Sequence, residues 1–142
     1  MNINRTITIL VAVASLLTAA VPAIGHHAFG AEFDPNRPLL LRGKIVKVEW
    51  VNPHAWIHVE VTNTNGTKDV WMVEGGSPNS LLRRGVTKDS LKVGTEVIVD
   101  GYQARDYTLK RANGRNITYA DGRKLFLASS APDAPDRDAD KK

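Results

Sequence analysis

The chain has 142 residues, no cysteine, and 19 Lys+Arg against 15 Asp+Glu. That length suits one ordinary domain and not two. The missing cysteine excludes disulfides, thiolate metal sites and a lipid-modified N-terminal Cys, and so mild a positive charge is a poor footprint for a nucleic-acid binder.

Arg5 lies in a short polar stretch, an almost wholly apolar run follows from Ile7 to Val21, and Pro22-Ala23-Ile24-Gly25 supplies small residues. This is the pattern of a cleavable secretory signal over residues 1–25. The apolar run is too short to make a comfortable membrane span. The expectation is a periplasmic or secreted protein with no membrane span after cleavage. A cut after Gly25 leaves 117 residues, with 18 Lys+Arg against 15 Asp+Glu. That is enough chain for a packed core without cross-links.

Residues 26–38 read as an irregular N-terminal arm, with His26-His27, Phe29, Phe33 and the turn-forming run Asp34-Pro35-Asn36-Arg37-Pro38. A β domain is expected over 39–130. Val46, Val48 and Trp50 alternate with Lys47 and Glu49 as a half-buried strand. After Asn52-Pro53, a second strand covers Ala55 to Thr62, with Ile57, Val59 and Val61 on one face and Trp56, His58 and Glu60 on the other. Asn65-Gly66 forms a hairpin turn into a third strand at Lys68 to Glu74, carrying Trp71 and Val73 inward. Ser77 caps and Pro78 opens one short helix that Gly85 ends. A fourth strand runs from Thr95 to Ala104, with Val97 and Val99 inward. Asn113-Gly114 reads as a polar loop, and Asp121-Gly122 as a hairpin between Ile117–Ala120 and Lys124–Ala128. Residues 131–142 hold no large apolar group and read as a disordered tail. A three-strand meander, a short helix and further strands make a mainly β fold. The expected architecture is a small OB-like five-stranded barrel with its helix between strands 3 and 4.

The run His26-His27-Ala28-Phe29 followed by Phe33-Asp34 resembles the mature start of a family of small exported bacterial proteins of unknown function. Val48-Glu49-Trp50, Asn52-Pro53-His54-Ala55-Trp56-Ile57, Glu74-Gly75-Gly76-Ser77-Pro78-Asn79 and Asp121-Gly122-Arg123 extend the likeness in order over most of residues 26–129. That family usually shows Ser where this chain has Ala28. The resemblance implies an exported β domain and brings no activity with it.

The candidate chemistry lies where the signal ends. A cut after Gly25 makes His26 the N-terminus, whose amine and Nδ1 can chelate one metal, as in the histidine brace of copper proteins. A cut after Ala23 exposes Ile24-Gly25-His26, which resembles the square-planar amino-terminal site for Cu(II) or Ni(II). Amine and imidazole nitrogens without Cys, and with Met72 the one Met left after cleavage, suit Cu(II) first, then Ni(II) or Zn(II). The expected metal residues are His26, His27 and His54. In a regular strand His54 and His58 lie about 13 Å apart at ~3.3 Å per residue, so they cannot share an ion. His58 reads as a solvent-face residue. The antiparallel meander brings Glu74 near His54, as a second-shell partner or a direct ligand. Asn52 and Trp56 complete the candidate ligand site. Trp56 is either a stacking platform or a side chain packed under the arm by Phe29 or Phe33. Lys110, Arg111, Arg115, Arg123 and Lys124 form a basic set in the late loops that could meet a polyanion.

No nucleophile motif or persuasive carboxylate pair occurs. The reading is therefore a non-enzymatic, monomeric exported binding module. Its partner is a small ligand, a metal ion or an envelope protein, and no nucleic acid is expected. Cu(II) or transition-metal handling through the N-terminal histidine is the first alternative, and polyanion or saccharide binding the second.

Overall fold

The computed structural model describes residues 29–127. A helical turn, α1 (Phe29–Glu32), leads directly into β1 (Phe33–Glu49). There follow β2 (Trp56–Thr62), β3 (Lys68–Glu74), helix α2 (Pro78–Arg83), a 3-10 turn (Lys88–Leu91), β4 (Glu96–Ala104), β5 (Arg111–Tyr119) and β6 (Lys124–Phe126). The protein is mainly β. Its six strands form one sheet in the order β3-β2-β1-β4-β5-β6, and β3 also pairs with β5. That extra pairing is parallel, from Met72↔Arg111 to Glu74↔Asn113, while the other ladders are antiparallel. The described residues thus hold six strands where a five-stranded barrel was expected; the sixth, β6, is the far arm of the expected Asp121-Gly122 hairpin and pairs with β5 from Asn116↔Phe126 to Thr118↔Lys124.

Strand β1 serves two neighbours. Its residues Pro38 to Lys44 pair with β4, and Lys44 to Glu49 pair with β2. The β2 register shifts between Ile45 and Lys47, so Val46 is an extra residue that resets the inside–outside alternation. Ile45 is therefore fully buried, whereas simple alternation put Val46 inward. Ile45, Ile57, Val59, Val73, Val97, Val99 and Ile117 build the core, closed by Leu81 of α2, Val86, Leu91 and Leu127. Trp50 and Trp71 pack against this core from its edge, partly buried. Helix α2 begins as its residues dictate: the Ser77 hydroxyl accepts from the Ser80 N–H at 3.2 Å, and Pro78 follows.

Two segments differ from their sequence expectation. Residues 29–38 are not irregular. Phe29, Phe33, Tyr102 and Ala104 form a second small cluster, with the Phe29 and Tyr102 rings edge-on at 5.4 Å. Burying those rings overrides the turn propensity of Asp34 to Pro38, and the prolines sit where the β1–β4 register shifts between Phe33 and Pro38. Asn113-Gly114 is the middle of β5, not a loop. Its glycine is required by close approach rather than by a turn. A Cβ on Gly114 would lie 2.5 Å from Val73 Cγ1, and one on the facing Gly101 would lie 2.0 Å from the Asn113 carbonyl oxygen. The leader (1–25), His26, His27 and the tail (131–142) lie outside the described residues. Among the described residues no helix is long and apolar enough to cross a membrane.

Candidate functional site

The parallel β3–β5 pairing decides where polar groups meet. At that seam Glu74, the last residue of β3, is register-paired with Trp56 on one side and Asn113 on the other. Glu74 is only 7% exposed. A carboxylate so placed needs a partner of complementary charge or hydrogen-bonding capacity. His54 supplies one: its Nδ1 lies 3.2 Å from Glu74 Oε1 and 3.2 Å from the Gly75 carbonyl oxygen. Both neighbours are acceptors, so the geometry assigns the Nδ1 position a proton to donate. The ring is positioned by the backbone on either side. The Ala55 N–H donates to the Gly76 carbonyl at 3.0 Å, and the Gly75 N–H donates to the Ala55 carbonyl at 2.8 Å.

A pocket of about 300 Å³ opens here, lined by Asn52, His54, Trp56 and Glu74 together with Glu32 and Arg111. Asn52, His54, Trp56 and Glu74 thus line one pocket, with His54 beside Glu74. Glu32 and Arg111 were missed as pocket residues. Glu32 lies at the end of α1 and Arg111 at the start of β5, and no local motif joins them. Arg111 Nη2 pairs with Glu32 Oε1 at 2.6 Å, and its guanidinium carbon lies 4.7 Å from the centre of the Trp56 ring. Trp56 is therefore covered by Arg111 and not by Phe29 or Phe33, which turn to Tyr102 instead. Arg111 Nε is buried with no hydrogen-bond partner among the described residues.

The remaining candidates fall elsewhere. The His58 side chain is 13% exposed, with Nε2 3.4 Å from Glu49 Oε1, so it is a mostly covered residue and not a solvent-face one. The Lys47 ammonium beside Glu49, aided by His58, holds that carboxyl below the usual range. The basic late residues are largely engaged with carboxylates. Lys110 Nζ lies 2.9 Å from Asp69 Oδ2, which with the Asn63 amide lowers the Asp69 pKa, and Arg123 Nε lies 2.6 Å from Asp121 Oδ2. Among the described residues no three His, Asp or Glu side chains gather to hold a metal ion. His26 and His27 fall outside them.

A family model described as a family of unknown function, DUF6152, matches residues 12–113. The chain belongs to the DUF6152 family. No curated protein and no solved structure matches it. The DUF6152 match takes in α1, the whole His54–Glu74 seam and the start of β5, and it ends at Asn113, where β5 meets Glu74.

Proposed function

We propose that this DUF6152 protein is an exported, non-enzymatic binding module of OB-like fold. Its ligand site is the pocket of Asn52, His54, Trp56 and Glu74, to which the His26-His27 arm contributes. The OB-like reading is supported by the strand order, in which the parallel β3–β5 pairing returns the sheet on itself with α2 between β3 and β4. The observation that carries the site is the His54 ring held 3.2 Å from a buried carboxylate at the wall of a pocket. Glu32 of α1 lines the pocket, and His26 lies six residues before it in the sequence, a reach of at most about 21 Å at ~3.5 Å per residue.

Cu(II) is the ligand this arrangement favours, ahead of Ni(II) and Zn(II). An imidazole that donates one ring N–H to a carboxylate has the partner that metal-bound histidines commonly have. Glu74 then acts through His54, and His26 with its α-amine supplies further nitrogen donors. The amine must lose its proton to bind, so affinity falls below a pKa near ~8. A polyanion or saccharide site at Trp56 has less support, because that ring already carries Arg111 and the neighbouring basic groups hold carboxylates.

The test is intact mass of the exported, untagged protein with one equivalent of Cu(II) and a competing weak chelator. The expectation is one retained copper, lost with His54→Ala and weakened roughly 10- to 100-fold with Glu74→Gln. Retention unchanged in both variants would remove His54 and Glu74 from the site. No retention in the parent protein would leave the pocket to an organic ligand or an envelope protein.

A further inference from the structure

A second concavity, about 480 Å³, lies on the outer face of the sheet and shares no lining residue with the His54 pocket. Cross-strand register sets its chemistry. Arg42 of β1 is paired with Ile98 of β4, and Ile98 with Thr118 of β5, which makes one row of guanidinium, aliphatic chain and hydroxyl. Two residues along β1, Lys44 is paired with Glu60 on one side and Glu96 on the other. Glu60 is also held by Lys68 at 2.8 Å.

The groove therefore sets three cations against two carboxylates, with Lys44 register-paired with both acids and Lys68 holding Glu60. Arg42 is the surplus charge. Among the described residues no ion pair or hydrogen bond engages its guanidinium. A guanidinium in this state is a ready bidentate partner for a carboxylate. Ile98 is half-buried in the groove beside it, so an apolar body attached to that carboxylate has somewhere to lie. At about 480 Å³ the groove falls in the range of small-molecule sites. A ligand with a second negative group would bring it toward Glu60 or Glu96 and be repelled.

We propose that this groove binds a small organic monocarboxylate, its carboxylate on the Arg42 guanidinium and its apolar body along Ile98 and Thr118. The site is independent of the metal reading, since none of its residues touches the His54 pocket.

The experiment is an amide chemical-shift titration of the ¹⁵N-labelled protein with benzoate, with benzyl alcohol, phthalate and inorganic phosphate run alongside. Benzoate should give saturable shifts at residues 42–44, 97–98 and 118–119, with a Kd on the order of 1 mM or tighter. Benzyl alcohol, phthalate and phosphate should each bind at least roughly tenfold more weakly, which separates carboxylate-plus-body recognition from simple anion binding. Arg42→Ala should weaken benzoate roughly 10- to 100-fold and Arg42→Lys by less, while His54→Ala leaves it unchanged. Arg42 is exposed on the outer face, so a preserved amide spectrum is expected in both Arg42 variants. The proposal is overturned if benzyl alcohol, phthalate or phosphate matches benzoate, if Arg42→Ala binds as the parent does, or if no saturable shift occurs at these positions below about 20 mM.

Discussion

Gly101→Ala strikes the contact that holds β4 against β5. The new Cβ would start 2.0 Å from the Asn113 carbonyl oxygen, 3.0 Å from its carbon and 3.2 Å from Gly114 Cα. All three are backbone atoms, so no rotamer change relieves the clash. The strands must part by about 1 Å, which overpacking data place at roughly 1–3 kcal/mol. Parting also weakens ladder bonds around Gly101↔Gly114 and Tyr102↔Asn113, each worth about 0.5–1.5 kcal/mol. The expected loss is about 2–5 kcal/mol, a large part of the ~5–15 kcal/mol typical of a domain. In a domain of this size that lowers Tm by roughly 10–30 °C. Urea and thermal unfolding followed by circular dichroism measure it, with Gly30→Ala as control, since a Cβ there meets nothing within 4 Å. A Gly101→Ala protein within about 0.5 kcal/mol of the parent would refute the close-approach account.

Two further outcomes follow from the N-terminal half. Asp34 accepts from the Tyr107 hydroxyl at 2.8 Å and from the Asn36 N–H at 2.9 Å, and these bonds, Tyr107 first, hold its carboxyl below the usual range. A depressed carboxylate adds stability above its unfolded pKa of ~3.9 and loses that contribution as pH falls through the folded value. Tyr107→Phe should therefore raise the Asp34 pKa and start acid unfolding at higher pH. A ¹³C titration of the Asp34 carboxyl that shows no change would contradict this. Phe29→Ala removes the ring set edge-on to Tyr102 and tilted against Phe33. It should cost about 3–5 kcal/mol and release α1 to limited proteolysis while β5–β6 hydrogen exchange is unchanged. Equal protease resistance would show that Arg105, whose Nε donates to the Gly30 carbonyl, holds α1 without the ring.

Local chemistry carried much of the fold. Strict alternation at Ile57 and Val59 and at Val97 and Val99 put the right residues inward, because a strand with one buried face has a period of two. Ser77-Pro78 marked α2 for the same kind of reason, a cap whose partner lies three residues away. What failed was non-local. Nothing around Val46 announces a bulge, since the extra residue is defined only against Val59 and His58 of another strand. Asn113-Gly114 has the composition of a turn, and only the approach of Gly101 and Val73 explains its glycine. The site divides in the same way. His54 and Glu74 were legible as neighbours because a meander fixes which strand ends meet. Arg111 and Glu32 were not, because the β3–β5 pairing and the docking of α1 bring them in from 37 residues beyond Glu74 and 22 before His54.

The Leu127 carbonyl accepts from the Gly76 N–H at 2.6 Å, one residue from the carbonyl that shares the His54 proton. Glu32, only three residues from where the described chain begins, reaches the same pocket from the other terminus. Both boundaries of the described residues are thus tied close to the His54–Glu74 seam. A polyhistidine tag joined at either boundary would compete for any copper with imidazoles of its own. The hairpin at 63–66, which joins the opposite ends of β2 and β3, is the place for a label that leaves the pocket alone.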